Sequence, residues 1–363
     1  MMQDPTGIAG AGELIGIYVI TGFLGSGKTT LLNHLVSDPA MADTAVIINE
    51  FGEVGIDHAL VEQAFEDALL LSNGCLCCTI RGDLLDTLET LSVRRDMGRI
   101  PAFKRVVIET TGLADPAPIV ESLSDDMVAA RGFALRAIAT TVDAVHGMGQ
   151  LDSQYESVKQ AGMADLLLVT KTDLADAGPL TQRLCTLNPG AKIETVVDGH
   201  LAPERLFALD GFDAEAAKDW LGTDHHGDDH EHDHHHGHGH GHGHGHGHGA
   251  GAHDVNAHDD VRAISISRDA PLPWPAVRAW LRSLASLRGA DILRMKGILC
   301  IDGLDAPIAV HGIQSMLHPA KRLKGWGGEA PSSRIVFIGR DLDAAGVNLA
   351  LETALAEHSR RHS

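Results

Sequence analysis

Three short stretches carry residue types that can bind phosphate, a hard cation and a purine base. Gly22-Phe23-Leu24-Gly25-Ser26-Gly27-Lys28-Thr29 is a full G-x-x-x-x-G-K-[ST] pattern that follows an apolar run at 15–20. Its glycines let consecutive backbone N–H groups turn inward around phosphate oxygens. Lys28 can reach the outer phosphates, and the Thr29 hydroxyl can hold Mg²⁺ at the start of a helix. Gly22, Gly25, Ser26, Gly27, Lys28, Thr29 and Thr30 are the expected phosphate contacts. A second apolar run, 106–108, ends in Glu109-Thr110-Thr111-Gly112, where such a loop needs a carboxylate beside its metal. Glu109 is one methylene longer than the commoner Asp, so it acts either through a metal-bound water or by orienting the attacking water. Lys28, Thr29 and Glu109 form the expected catalytic set. After a third run, 166–169, stands Thr170-Lys171-Thr172-Asp173. A carboxylate here can accept two hydrogen bonds from guanine, from N1–H and the exocyclic amine, while the Lys171 stem packs on the ring. Adenine does not present that pair of donors, so Asp173 and Lys171 favour GTP over ATP.

Between the first two signatures lies Asn73-Gly74-Cys75-Leu76-Cys77-Cys78-Thr79. Apolar packing gives no reason to cluster three reactive thiols, and thiolates this close suit a soft or borderline ion such as Zn²⁺ or Co²⁺. Glu50, in Asn49-Glu50-Phe51-Gly52-Glu53, can complete a sulfur and oxygen ligand set. Cys75 and Cys78 also have C-x-x-C spacing, which keeps a reversible disulfide as a rival. The two remaining cysteines, Cys185 and Cys300, match no motif and read as core residues, as do Trp274, Trp280 and Trp326. His311 and His318 read as histidines satisfied within the fold.

Composition breaks once, at 224–260, which holds 15 of the 23 histidines, eight acidic residues and no Lys or Arg. Closely spaced imidazoles such as His232, His234, His236, His238 and His240 take zinc, copper, nickel and cobalt alike. The tract reads as a low-specificity reservoir that raises metal concentration near the thiols. With almost nothing apolar to offset ordering entropy, it cannot fold by itself.

The whole chain of 363 residues is 44% hydrophobic, enough for two domains. Its formal charge of −20, with no long basic run, argues against nucleic acid or an anionic membrane as partner. No stretch is long and apolar enough to span a bilayer, and 1–10 lacks the order of a secretory signal, so the cytoplasm is the expected location.

The chemistry needs elements that hold it. Bare apolar runs at 15–20, 45–48, 106–108, 135–142 and 166–169 read as buried parallel strands. Leu31, Leu32 and Leu35, like Leu84, Leu85 and Leu88, fall on one face of covering helices. The expected fold is α/β, a doubly wound, mostly parallel phosphate-loop sheet. Beyond the tract come a strand near 261–267, a helix opened by Pro275, strands near 292–301, 308–313 and 334–339, and a terminal helix. That order predicts a smaller α+β domain. The domains are therefore expected at 1–220, 221–260 (the tract) and 261–363.

The ordered set GFLGSGKTT, NEFGEVGID, NGCLCC, ETTGLADP, TKTD and LNPGAKI resembles the CobW-like family of phosphate-loop GTPases, whose relatives handle nickel for hydrogenase and urease. Arg294-Met295-Lys296-Gly297, His318-Pro319 and 335–339 look like that family's C-terminal domain. The resemblance implies a GTP-hydrolysing metallochaperone that loads an ion into a client metalloprotein or metal-insertion enzyme. Its cofactors would be GTP and Mg²⁺, with Zn²⁺ or Co²⁺ as the ion carried, cobalt pointing to cobalamin synthesis. Cys77, Cys78 and Glu50 would hold that ion with help from Cys75, and Asp57 sits where such proteins place a switch residue near Mg²⁺. A monomer or weak homodimer is expected. Metal storage by the tract is the reading of another class.

Because an imidazole must be neutral to bind metal, the tract is expected to release zinc as pH falls through about 6.5. A zinc titration against pH checks this; full retention at a pH of about 5 would place the metal on the thiolates instead.

Overall fold

A computed structural model of the chain describes residues 14–49, 69–70, 76–79, 84–123, 126–209, 261–326 and 330–362. The first strand, β1 (Ile15–Gly22), is buried along all eight residues, as a strand covered on both faces must be. Its neighbours are β5 (Arg105–Thr110) and β6 (Phe133–Asp143), both parallel to it. Outward from β5 lie β2 (Thr44–Asn49), β4 (Leu76–Thr79) and the short antiparallel β3 (Leu69–Leu70). Outward from β6 lie β7 (Leu166–Thr170) and β8 (Lys192–Val196). The described strands thus form an eight-stranded sheet in the order β3-β4-β2-β5-β1-β6-β7-β8, parallel except for β3. Each apolar run expected as a strand is one, extended by one to three residues. The strand β8 was not expected, because its half-exposed KIETV carries no apolar run.

Helices cover both faces through leucines at one-face spacing. α1 (Lys28–Ser37) turns Leu31, Leu32 and Leu35 inward, and α2 (Leu84–Asp96) does so with Leu84, Leu88 and Leu91. The shorter α3 (Pro116–Leu123), α4 (Asp126–Ala130) and α5 (Gly147–Ser153) follow. Next come α6 (Tyr155–Met163), α7 (Gly178–Leu187) and α8 (Pro203–Phe207). Cys185 corrects the expectation of a core residue. Leu180, Leu184 and Leu187 form the inner stripe of α7, which leaves the position after Leu184 on the solvent side. Cys300 is buried as expected, and burial, aided by the Asp302 charge, pushes its thiol pKa up.

A second, antiparallel sheet runs β12-β11-β10-β14-β9, with β13 beside β11. Its strands are β9 (Val261–Arg268), β10 (Ile292–Leu299), β11 (Ile308–Ile313), β12 (Met316–Leu317), β13 (Lys321–Arg322) and β14 (Ser333–Arg340). α9 (Trp274–Arg288), with Pro275 in its first turn, and α10 (Ala344–His362) cover it. Trp280 is fully buried, edge-on to Phe337 at 5.8 Å between centroids, and its indole N–H donates to the Val347 carbonyl. This is the α+β arrangement expected beyond the tract. Trp274 is partly buried against the same cluster. His311 and His318 stack on each other, 4.1 Å between centroids, a pairing their separate positions did not suggest. Burial and the facing His318, Arg294, Lys296 and Lys321 hold the His311 pKa well below its ordinary 6.5.

The two sheets share an interface. Leu293 and Ile313 of the second sheet join the core cluster of the first. Gly162 on α6 makes room for this, since a Cβ there would stand 3.0 Å from Leu293 Cδ1. Beside it, buried Asp165 pairs with Arg294 and, at 3.0 Å, with Lys296, and also accepts the Ile138 N–H at 3.0 Å. Lys296 Nζ donates in addition to the Gly190 carbonyl at 2.9 Å. Burial alone would raise the Asp165 pKa; the Arg294 and Lys296 charges outweigh it and hold the carboxyl below its ordinary value of 3.8.

Asp165→Asn leaves two buried cations facing a neutral amide, so it is expected to cost about 3–5 kcal/mol of unfolding free energy in a urea titration at pH 7. With the folded pKa lowered, the carboxylate's contribution is complete above 3.8 and lost as pH falls through the folded value. The wild type should weaken more steeply along that acid limb than the variant.

Candidate functional site

In a parallel sheet all C-terminal strand ends lie on one edge, and a ligand crevice forms where the strand order reverses. Here that point is β1, flanked by β5 and β6. The loop after β1 turns at Gly22, Gly25 and Gly27, whose φ angles of 141°, 72° and 95° disfavour a side chain. A Cβ on Gly22 would also lie 2.3 Å from Thr141 Oγ1 and 2.4 Å from the Thr141 carbonyl oxygen. The helix α1 begins at Lys28, directly behind the loop, so its free N–H groups and the positive end of its dipole point at the crevice.

The loop is tied down by hydroxyls. Ser26 Oγ and Thr141 Oγ1 are 2.6 Å apart, and Thr141 Oγ1 donates to the Thr21 carbonyl at 3.3 Å. Thr170 Oγ1 donates to the Ser26 carbonyl at 2.7 Å, and Thr110 Oγ1 to Thr21 Oγ1 at 2.8 Å. Lys28 is nearly buried, and its ammonium donates to the carbonyls of Gly22 and Phe23 at 2.8 and 3.1 Å. It therefore sits in the concavity of the loop. Thr29 Oγ1 donates to Glu109 Oε1 at 3.0 Å. A hydroxyl and a carboxylate converging beside a helix start are an all-oxygen donor pair that fits a hard cation such as Mg²⁺. Lys28, Thr29 and Glu109 are thus brought together, while Thr30, the next residue of α1, is exposed.

The turn after β5 closes over the loop. Gly112 lies so near it that a Cβ would stand 2.7 Å from the Leu24 nitrogen. Gln160 of α6, itself buried, donates through Nε2 to the carbonyls of Gly112 and Ala114 at 3.3 and 3.0 Å. Lys159 pairs with Asp115 at 2.5 Å. Gly112 and Gln160 were missed in sequence. The glycine after Glu109-Thr110-Thr111 is a visible signal, but nothing marks Gln160 beyond a polar residue on an inward helix face.

At the end of β7, Lys171 has a left-handed backbone (φ 57°), and Asp173 stands exposed two residues on. The Lys171 ammonium lies 2.6 Å from Asp143 Oδ2. Burial alone would raise the Asp143 pKa; the Lys171 bond, the Val145 and His146 N–H groups and the lysine charge bring it below 3.8. Asp143 also went unnoticed in sequence, being one carboxylate at the end of an apolar run.

Cys77 and Cys78 lie in β4, paired in register with Val46 and Ile47 of β2. With strands about 4.8 Å apart, β4 is roughly 14 Å from β1 across β2 and β5. Cys75, Glu50 and Asp57 fall outside the described residues, as do His232, His234, His236, His238 and His240. Among the described residues, no group of three or more His, Cys, Asp or Glu is arranged to hold a metal ion. No described helix is long and apolar enough to cross a membrane.

A phosphate loop at the reversal point of a doubly wound sheet defines a nucleotide-binding protein of the phosphate-loop class. The chain belongs to the CobW/HypB/UreG family, whose nucleotide-binding domain matches residues 16–195, and the cobW C-terminal domain of cobalamin synthesis proteins matches 261–355. It is 33% identical to the zinc chaperone YjiA of Escherichia coli over 93% of this chain and 97% of that protein. It is also 33% identical to the zinc chaperone CobW of Pseudomonas aeruginosa, over 94% and 91% of the two chains. The crystal structure of Zn(II)-bound YjiA GTPase superimposes with a TM-score of 0.69 at 31% identity, covering 94% of this chain and 99% of that one.

Gly22→Ala combines a strained φ with a Cβ inside contact distance of Thr141, and is expected to cost about 2–4 kcal/mol. Urea unfolding measures it. An unchanged midpoint would mean that the loop shifts freely and is not preset by its hydroxyl ties.

Proposed function

We propose that this protein is a GTP-hydrolysing zinc metallochaperone. The observation that carries the reading is the convergence, on one sheet edge, of the phosphate loop, the Thr29 and Glu109 pair and the Lys171 to Asp173 loop. The zinc assignment is supported by relatives named as zinc chaperones. Backbone N–H groups of 22–29 and Lys28 would bind the phosphates of GTP, for which Lys28 would exchange its present carbonyl partners. Thr29, with Glu109 behind it, would hold Mg²⁺, which neutralises charge on the outer phosphate oxygens. Asp173 would read guanine.

The carried Zn²⁺ would be held by Cys75, Cys77, Cys78 and Glu50, with Co²⁺ accepted by the same ligands. Glu50, Asp57 and the cysteines all lie in the chain between α1 and α2. In chain order that stretch follows the phosphate-loop helix and precedes the Glu109 strand, so a γ-phosphate that orders it would change thiolate geometry and metal affinity. In this reading 1–220 is the nucleotide and metal unit, 221–260 a histidine reservoir, and 261–363 the unit that meets the client, a metalloprotein or metal-insertion enzyme. It works in the cytoplasm, as a monomer or weak homodimer, without nucleic acid or membrane.

The test is zinc affinity of the full chain under chelator competition, with Mg²⁺ and either a non-hydrolysable GTP analogue or GDP. One tight site should vanish in the Cys77→Ala, Cys78→Ala variant, and its affinity should differ between nucleotides by about 5–150-fold, with zinc changing analogue affinity by the same factor. A tight site that ignores nucleotide would sink the chaperone cycle, and no tight site at all would leave a GTPase with a metal-buffering tract.

A further inference from the structure

We infer that Asp143 is the positioning residue for base recognition: it presets the Lys171 to Asp173 loop in its purine-reading form. The inference rests on the guanine reading above.

Asp143 ends β6 in register with Thr170, which ends β7, so the carboxylate sits at the root of the loop. Both its oxygens are committed. Oδ1 accepts the N–H groups of Val145 and His146 at 2.7 and 3.3 Å, and Oδ2 takes the Lys171 ammonium at 2.6 Å. The two ends of the pair differ in environment: the Asp143 side chain is 1% exposed and that of Lys171 is 35% exposed. A buried carboxylate is costly without a cationic partner, so the lysine head is drawn inward and held there.

That hold has two effects on the loop. First, Lys171 adopts φ 57°, a left-handed conformation that costs a residue with a Cβ about 1–2 kcal/mol. Such strain persists only where the surroundings impose it. Here they do so from three sides: Thr170 Oγ1 on the Ser26 carbonyl at 2.7 Å, Ala144 N–H on the Thr170 carbonyl at 2.9 Å, and Lys171 on Asp143. Second, with its ammonium anchored, the lysine offers its methylenes as a fixed apolar strip on which a purine can pack. The turn then closes with Leu174 N–H on the Lys171 carbonyl at 3.0 Å, and Asp173 within that turn stands exposed. Base recognition needs both the strip and the carboxylate in place before the nucleotide arrives, because a loop ordered only on binding would subtract its ordering entropy from the affinity.

The experiment compares the full-length wild type with Asp143→Asn and Lys171→Met. Dissociation constants are measured for GDP, ADP and inorganic pyrophosphate in the presence of Mg²⁺. Pyrophosphate probes the phosphate loop alone. Asp143→Asn is expected to weaken GDP by about 10-fold or more, the loss of one charge-assisted hydrogen bond, and to shrink the GDP over ADP preference. Pyrophosphate affinity should stay within about 2-fold of wild type, well inside the 10-fold effect sought. Lys171→Met keeps the bonds from Val145 and His146 to Asp143, and it should reproduce the GDP defect if the ion pair is the cause. The double variant should then be little worse than the worse single one, as coupled residues require.

Equal losses of GDP and pyrophosphate would overturn the inference, since they would mean general damage to the fold. So would an unchanged GDP over ADP ratio in Asp143→Asn. A wild type that binds pyrophosphate but shows no preference for GDP would instead overturn the guanine reading itself, so the two failures are told apart.

Discussion

A loop that aims its N–H groups at a ligand must satisfy its carbonyls from the other side, inside the protein, where no water reaches. In this protein Lys28 serves the carbonyls of Gly22 and Phe23, and a strand end serves that of Ser26. Thr21, Thr110, Thr141 and Thr170 belong to β1, β5, β6 and β7, and their hydroxyls knit these strand ends to one another and to Ser26. Hydroxyls suit the task because each donates once, accepts as well, and brings no charge into a buried edge. The arrangement explains why these strands carry threonine at or near their ends, and why Gly22, pressed against Thr141, has no room for a side chain. The positions of Lys28, Glu109 and Lys171 all follow from it, since each extends from a segment that these bonds fix.

Charge is handled differently in the two buried pairs. Asp143 and Lys171 face the crevice, with the lysine half open to solvent, and the pair shapes a surface. Asp165 lies between the sheets and meets Arg294 and Lys296 where both partners are largely buried. A buried carboxylate between two cations adds little net stability compared with apolar packing, but it penalises any other docking of the second sheet, which would strand three charges. Leu293 and Ile313 supply the apolar area of the same contact, and the acid group supplies its register.

Much of this was legible in sequence because special conformations demand special residues. Glycines at positive φ, a lysine and a hydroxyl at fixed spacing mark the phosphate loop, and uninterrupted apolar runs mark strands buried on both faces. Other features lacked such a mark. The half-exposed β8 has no apolar run, and strand order depends on pairings between distant segments that no local pattern encodes. Cys185 was misplaced because a small apolar residue within a helix reads as core until the neighbouring leucines fix which face is inward. Asp143, Asp165 and Gln160 are single polar residues, and their roles exist only through partners 28, 129 and 48 positions away. The cysteine cluster and the histidine tract were read from composition and spacing alone.

The contact between the sheets also bears on the chain that joins them. Leu209 and Val261 are each built into the fold, and Leu293, Ile313 and the Asp165 cluster join the two sheets. Doubling the length of such a connection changes its closure cost by only about 0.6 kcal/mol. Closure entropy therefore sets little limit on how long that stretch can be. A stretch long enough to carry fifteen imidazoles adds little closure cost to the contact between the sheets.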